Sequence, residues 1–427
     1  MNAPTHPHRA VASAQRGATL IELMVGVVIG LLAVLVIAQV ALVYEGQKRS
    51  TTSGSDAQVN GALALQTLHR DVQMGGYGLT SAFSGSPYSA GCTISARRND
   101  LPVTTAPQLL VPVLITDGAN GATDTVQVLS SGNRGFSVPV KLGADHGPTD
   151  SYFTLQDGAG GVNPGVNIGN TQGDLMLAIY ARQPPNNSLC TLFGVNVDGM
   201  TPLLRDPASG TESNGTPLGT VDPGTPLVEA ASAPTGTVAV GRRIGHTAST
   251  SNNHGLWNVG TPLIPTIYKA DATYLINLGR ATDLIFRSYS TDAGGLFMTS
   301  FNADTATATT QSLYANIVTL QAVYGKALGL NPQQVTDWNT SDPALDIKDN
   351  TGKDIVGWTR VIAVRIAVVA RSQQFEKGVV TPVGQPVWHV DGIKTETLKV
   401  DTTPDWQHYR YKVFETVVPL RNMIWQS

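Results

Sequence analysis

Arg16-Gly17-Ala18-Thr19-Leu20-Ile21-Glu22-Leu23-Met24 opens the long apolar run of this chain, and its reading decides the fold. From Leu23 through Tyr44 the run carries no charge and is interrupted only by Gln39. As a helix it is about 33 Å long at 1.5 Å per residue, enough to cross a hydrocarbon core of roughly 30 Å. A secretory signal places its small-residue cleavage site after the apolar core, which is then lost. Here the processing point suggested by the sequence, Gly17, lies before the core, so cleavage leaves the apolar helix as the new N-terminus. Glu22 is the costly residue, because a carboxylate inside a membrane segment needs a partner or a path to the interface.

The helical pattern continues past the run. Ala57, Ala62, Leu65, Leu68 and Val72 recur at three- to five-residue steps, with Asp56, Gln66, Arg70 and Asp71 between them. This predicts an amphipathic face that Gly54 and Gly61 weaken, and Gly75-Gly76 ends it. One helix from about Ala18 to Met74 is thus expected, about 85 Å long. Its first half is apolar all round and its second half is apolar on one face.

Beyond Gly78 the period becomes two. Strands are predicted at Leu109–Ile115, Thr125–Leu129, Leu175–Ala181, Leu192–Val197, Thr237–Val240, Tyr274–Leu278 and Leu284–Tyr289. Further strands are predicted at Leu296–Phe301, Ile317–Tyr324, Val361–Ala370 and Tyr409–Val418. Pro202–Pro234 and Thr299–Thr310 are poor in apolar residues and read as long surface loops. Helices long enough for parallel crossovers are missing, so the sheet is expected to be mostly antiparallel. The fold class is α+β, a long N-terminal helix packed on a mostly antiparallel β-sheet domain with long loops. The divisions are 1–17, a leader; 18–44, the apolar helix; 45–76, its amphipathic continuation; and 77–427, a β-rich domain with large inserted loops at about 88–262.

Composition narrows the function. Charged residues make up 14% of 427, against about 25% in average domains, and the net charge is -3. Lysines and arginines are scattered, so no basic stripe supports nucleic-acid binding. Arg9 and Arg16 precede the span and hold that end in the cytoplasm, which places everything after Tyr44 on the far side. In that oxidising compartment Cys92 and Cys190 are expected to form a disulfide. Two buried thiols or a metal site are the alternatives, and the lack of a Cys-x-x-Cys spacing argues against metal.

No enzyme constellation emerges. There is no Gly-x-Ser-x-Gly elbow, no phosphate-binding loop and no dinucleotide fingerprint. His146, His246, His254, His389 and His408 stand alone, without His-x-x-x-His spacing. The acidic-glycine turns Asp117–Asp124 and Asp157–Gly161 hold oxygen ligands suited to Ca²⁺ but match no EF-hand register, and turn chemistry accounts for them. No cofactor is implied.

The leader with Gly17 and Glu22 resembles the class III signal of type IV pilins and type II secretion pseudopilins. That resemblance implies cleavage by a prepilin peptidase between Gly17 and Ala18 and N-methylation of Ala18. It also implies subunit registration by Glu22, which pairs with the N-terminal amine of a neighbouring subunit. Those families usually carry Phe at the first mature position, where this chain has Ala18. Four further stretches resemble the PilW family of minor pilins: His69–Gly78, Leu320–Gly325, Ala363–Ser372 and Tyr409–Asn422. The middle, about Tyr88 to Pro262, carries no motif of that family. What the resemblance implies is a non-enzymatic minor pilin, stored in the inner membrane with a periplasmic domain. It enters the priming or tip complex of a type IV pilus, and adhesion, twitching motility and DNA uptake are the outputs to consider. The implied partners are other minor pilins, the major pilin and a PilY-type tip adhesin. Two other readings follow from the same residues: a J-type pseudopilin of type II secretion, from which the greater chain length and the terminal strand depart, and a tip protein that binds a ligand itself.

Overall fold

The computed structural model describes residues 17, 19–79, 90–133, 139–155, 174–180, 189–195, 200–206, 208–209, 211–214 and 238–247. It further describes 255–259, 267–270, 272–292, 294–327, 334–340, 357–381, 384–390, 395–401 and 405–424. The chain divides into two compact units, Met1–Ser55 and Asp56–Ser427. Helix α1, Leu20–Gln73, runs through that division, as the continued helical period predicts.

In the first unit α1 has no buried apolar face. From Leu20 to Tyr44 its large side chains are exposed, 78% at Leu20 and 66% at Ile37. The best 18-residue window has a mean hydropathy of 2.9, and α1 is long and apolar enough to cross a membrane by length and composition.

The second unit is built of strands. In chain order these are β1 Thr93–Arg98, β2 Leu101–Pro102, β3 Val113–Thr116, β4 Thr125–Ser131, β5 Val140–Lys141, β6 Tyr152–Leu155 and β7 Asp174–Tyr180. Then come β8 Leu189–Gly194, β9 Met200–Arg205, β10 Glu212–Asn214, β11 Val238–Gly245, β12 Thr273–Arg280, β13 Leu284–Asp292 and β14 Gly295–Asn302. Last are β15 Thr307–Ala315, β16 Ile317–Ala327, β17 Val335–Asn339, β18 Val361–Arg371, β19 Val387–His389, β20 Thr395–Thr397 and β21 Tyr411–Pro419, followed by the short helix α2, Arg421–Ile424. They form sheets ordered β2-β1-β8-β7-β12-β5, β10-β9-β11-β6, β15-β14-β13-β4-β3 and β17-β16-β18-β21, with the pair β19-β20. Among the described strands only β1 and β8 pair in parallel. The sheets are therefore mostly antiparallel, as the missing crossover helices require.

β18 shows how the period of two is used when both faces are covered. Val364, Ile366, Val368 and Ala370 enter the main core with the helix residues Ala64, Leu68 and Val72. Ala367 and Val369 face the other way, into a cluster with Trp388, Val390, Leu398 and Val400. A strand buried on both sides is almost continuously apolar, as Val361–Ala370 is apart from Arg365. A third cluster, with Phe153, Met176, Phe193 and Ile244, is built mainly from the middle region and completed by Tyr268 and Leu275 from just beyond it.

Three expectations change. Thr299–Thr310 is not a loop: it lies in the β14–β15 hairpin, with only Ala303–Ala306 turning between the strands. Thr307, Thr309 and Thr310 are β-branched residues on exposed strand positions, and Thr299 Oγ1 meets Thr310 Oγ1 at 2.8 Å across the ladder. Within Pro202–Pro234, the strands β9 and β10 occupy most of the described part; 215–234 lies outside the described residues. On α1 the buried apolar face is Ala57, Gly61, Ala64, Leu68 and Val72, whereas Ala62 is exposed and Leu65 half-buried. Gly61 looks like a helix breaker in sequence, yet it belongs to the packed face. A Cβ there would overlap the ring of Phe414 on β21, so only glycine lets that strand approach.

Candidate functional site

At the start of α1, Thr19 provides the cap. Its Oγ1 accepts a hydrogen bond from the Glu22 amide at 3.4 Å, and its carbonyl accepts from the same amide at 3.0 Å. Thr19-x-x-Glu22 is the capping-box order, so Glu22 also places a carboxylate at the positive end of the helix dipole. Within one chain that local role is the account of Glu22 its position supports; the cap was missed in the sequence, although the Thr-x-x-Glu spacing signals it. Gly17 and Glu22 are both exposed; Ala18 lies outside the described residues.

The other end of α1 is fixed by the stretch His69–Gly78. Gly76 and Gly78 have φ of 78° and 72°, the left-handed region. The Gly76 amide donates to Leu129 O at 2.8 Å, and the Ser131 amide donates to Tyr77 O at 2.7 Å, which fastens the turn to β4. Asn422 Nδ2 donates to Gly75 O at 3.0 Å, and Thr416 Oγ1 lies 3.4 Å from His69 Nδ1. The last strand and α2 thereby hold the C-terminal part of α1, as the amphipathic pattern of Tyr409–Val418 suggests.

Asp71 is the buried charge of this region. It accepts hydrogen bonds from Arg287 Nη1 at 2.6 Å and from the Tyr289 hydroxyl. Burial and the neighbouring carboxylate push the Tyr289 hydroxyl pKa up, so it remains a donor. Beside this group lies a pocket of about 420 Å³, between the end of α1 and strands β4 and β13.

Cys92 and Cys190 form a disulfide, with Cα atoms 5.9 Å apart and both residues buried. The parallel register of β1 on β8, with Ile94 opposite Cys190, brings them together. Closing a loop of this length contributes about 4–5 kcal/mol on the chain-entropy account.

His146 and His246 do not stand alone. Their Nε2 atoms are 2.8 Å apart in the middle-region core, and His146 stacks on Phe153 at 4.0 Å between ring centroids. Burial lowers their pKa values to about 4 and about 3, so both rings are neutral at pH 7. No spacing signal joins residues a hundred positions apart: the pairing of β6 with β11 positions the flank of His246, and a bridge to Tyr268 positions His146. His408 Nδ1 contacts the Glu376 carbonyl at 2.7 Å; His254 lies outside the described residues.

Of the two acidic turns, Asp157–Gly161 lies outside the described residues. In the other, the Asp124 carboxylate accepts amide hydrogen bonds from Gly118 at 2.9 Å and Ala322 at 2.7 Å. It therefore stitches the turn to β16, which is the turn-chemistry reading in structural form. Burial, against those two amides and with Asp117 adjacent, raises its pKa to about 7. Among the described residues no group of three or more His, Cys, Asp or Glu is placed to hold a metal ion.

Comparison with known proteins agrees with the C-terminal half of this arrangement. No curated protein matches the chain, and no solved structure matches it. Residues 279–422 match the family model described as Type IV Pilus-assembly protein W, PilW. The match covers about a third of the chain and takes in β13 to β21, which include the strands that pack on the second half of α1. The C-terminal region of this chain is a PilW-family domain, joined to a long N-terminal helix with an apolar first half.

Proposed function

We propose that the chain is a minor pilin of a type IV pilus, stored in the inner membrane and built into the priming or tip complex that starts the filament. The PilW match over 279–422 is the observation that carries this reading. The apolar run from Leu20 to Tyr44 supports it, because its large side chains are exposed among the described residues of their own unit. In this reading a prepilin peptidase cuts between Gly17 and Ala18, and Ala18 is N-methylated. The cytoplasmic leader keeps Arg9 and Arg16 inside, and the PilW domain faces the periplasm, the compartment in which the Cys92–Cys190 disulfide forms.

Assembly then exchanges one apolar environment for another. Lipid around the first half of α1 is replaced by the helices of other minor pilins and the major pilin, so little apolar surface meets water. Glu22 opposes membrane residence and is relieved by pairing with the N-terminal amine of a neighbour. A PilY-type adhesin is the expected partner of the exposed domain surface. No step in this cycle requires catalysis by the chain.

Two strains test the proposal. Deleting the gene is expected to reduce surface pili sharply. Glu22→Ala is expected to leave insertion and processing intact while reducing pilus number and recovery of the chain with other minor pilins. Full piliation in the deletion strain would reject the reading.

A further inference from the structure

The stretch His69–Gly78 does more than end a helix. Arg70, Met74 and Tyr77 from it line the pocket of about 420 Å³, together with Val128, Ile285 and Arg287. The charges in this pocket do not balance. It holds two guanidinium groups and one carboxylate, and that carboxylate, Asp71, is taken by Arg287 and Tyr289. The Arg70 side chain is exposed and has no partner among the described residues. One positive charge is therefore left at the mouth of an apolar recess.

The rim suits a protein ligand. Met74 is 47% exposed and Tyr77 45%. A flexible thioether adapts to different apolar shapes, and tyrosine joins apolar area to a polar tip, which is why both are enriched at interfaces. The volume lies in the range of ligand pockets and takes a side chain with part of its neighbours. A single unpaired arginine beside apolar walls fits a carboxylate better than a multiply charged phosphate chain.

We propose that this pocket receives an acidic side chain, flanked by apolar residues, on a segment of another pilus subunit. Arg70 pairs with the carboxylate, while Met74, Val128 and Ile285 take the flanking apolar groups. The identity of the partner rests on the minor-pilin reading; the ligand chemistry does not. Arg70 in the last turn of α1 also complements the helix dipole, a purely structural role that selects no ligand.

The test has two arms and uses the full chain. In detergent, the protein is titrated with the peptides acetyl-Phe-Glu-Leu-amide and acetyl-Phe-Gln-Leu-amide. The Glu peptide is expected to bind about tenfold tighter, a preference that weakens with salt. Arg70→Gln should abolish the preference and Arg70→Lys retain part of it, both with unchanged thermal unfolding. Equal binding of the two peptides, no binding of either at millimolar concentration, or a preference that survives Arg70→Gln overturns the proposal. In piliated cells, a photo-crosslinking residue at Tyr77 should then capture an acidic, apolar-flanked segment of another pilus subunit, and Arg70→Gln should abolish the capture. Capture of the chain's own residues, or of a segment without a carboxylate, overturns it. Glu-selective binding combined with capture of a protein outside the pilus keeps the pocket chemistry and overturns the partner, and with it the minor-pilin reading.

Discussion

The two halves of α1 obey different rules. Leu20–Tyr44 exposes its apolar side chains on every side, whereas Asp56–Gln73 buries one stripe, Ala57, Gly61, Ala64, Leu68 and Val72, and exposes Leu63 and Val59 opposite. The glycines show the contrast most directly. A Cβ at Gly26, Gly30, Gly46 or Gly54 would meet nothing, while at Gly61 it would overlap Phe414. One half of the helix is packed into the fold of the second unit; the other keeps its apolar side chains exposed among the described residues.

Core truncation should separate the halves most strongly. Leu68→Ala, at a fully buried position, is expected to cost about 2–5 kcal/mol in the unfolding of the second unit. Leu35→Ala should leave that unfolding unchanged and act only on membrane insertion and assembly. Denaturant titration of both variants checks this, and equal losses would erase the distinction. Gly61→Ala is the next test. Overpacking against Phe414 should cost about 1–3 kcal/mol, more than the gain in helix propensity. Gly46→Ala, with open space around it, should raise helix stability by about 1 kcal/mol or less.

The pH axis gives a smaller and graded effect. Leu23–Val43 holds no titratable side chain, and the buried groups with shifted pKa values lie in the second unit. There, His146 and His246 have folded pKa values lowered to about 4 and about 3. Their unfolded value is near 6.5, so the stability they contribute is present above that pH and is lost as pH falls through the folded values. Asp124 has the opposite sign. With its folded pKa raised to about 7, its contribution is full below about 4 and is lost as pH rises through 7. Asp124→Asn should therefore steepen the acid loss between pH 7 and 4 by about 1 kcal/mol per pH unit. Unfolding curves across that range decide it, and an unchanged slope would mean that Asp124 does not carry the proton.

Much of this architecture was legible because it is local. The apolar run, the glycine stop at Gly75-Gly76 and the alternation of Tyr411–Val418 are all patterns within a few residues. The exposed threonines of β15 were misread because their alternation carries no apolar signal. Gly61 was misread because its reason, the Phe414 ring, lies more than three hundred residues away. The His146–His246 pair and the Asp71–Arg287–Tyr289 group were unreadable for the same reason: each is made by long-range strand pairing.

The most direct test of the central claim is the N-terminus of the native protein, read by intact mass and N-terminal peptide mass spectrometry of the membrane and pilus fractions. The account predicts a chain that begins at Ala18, carries one N-methyl group and retains Leu20–Tyr44. A chain that begins beyond Tyr44 and is released as soluble protein would contradict it.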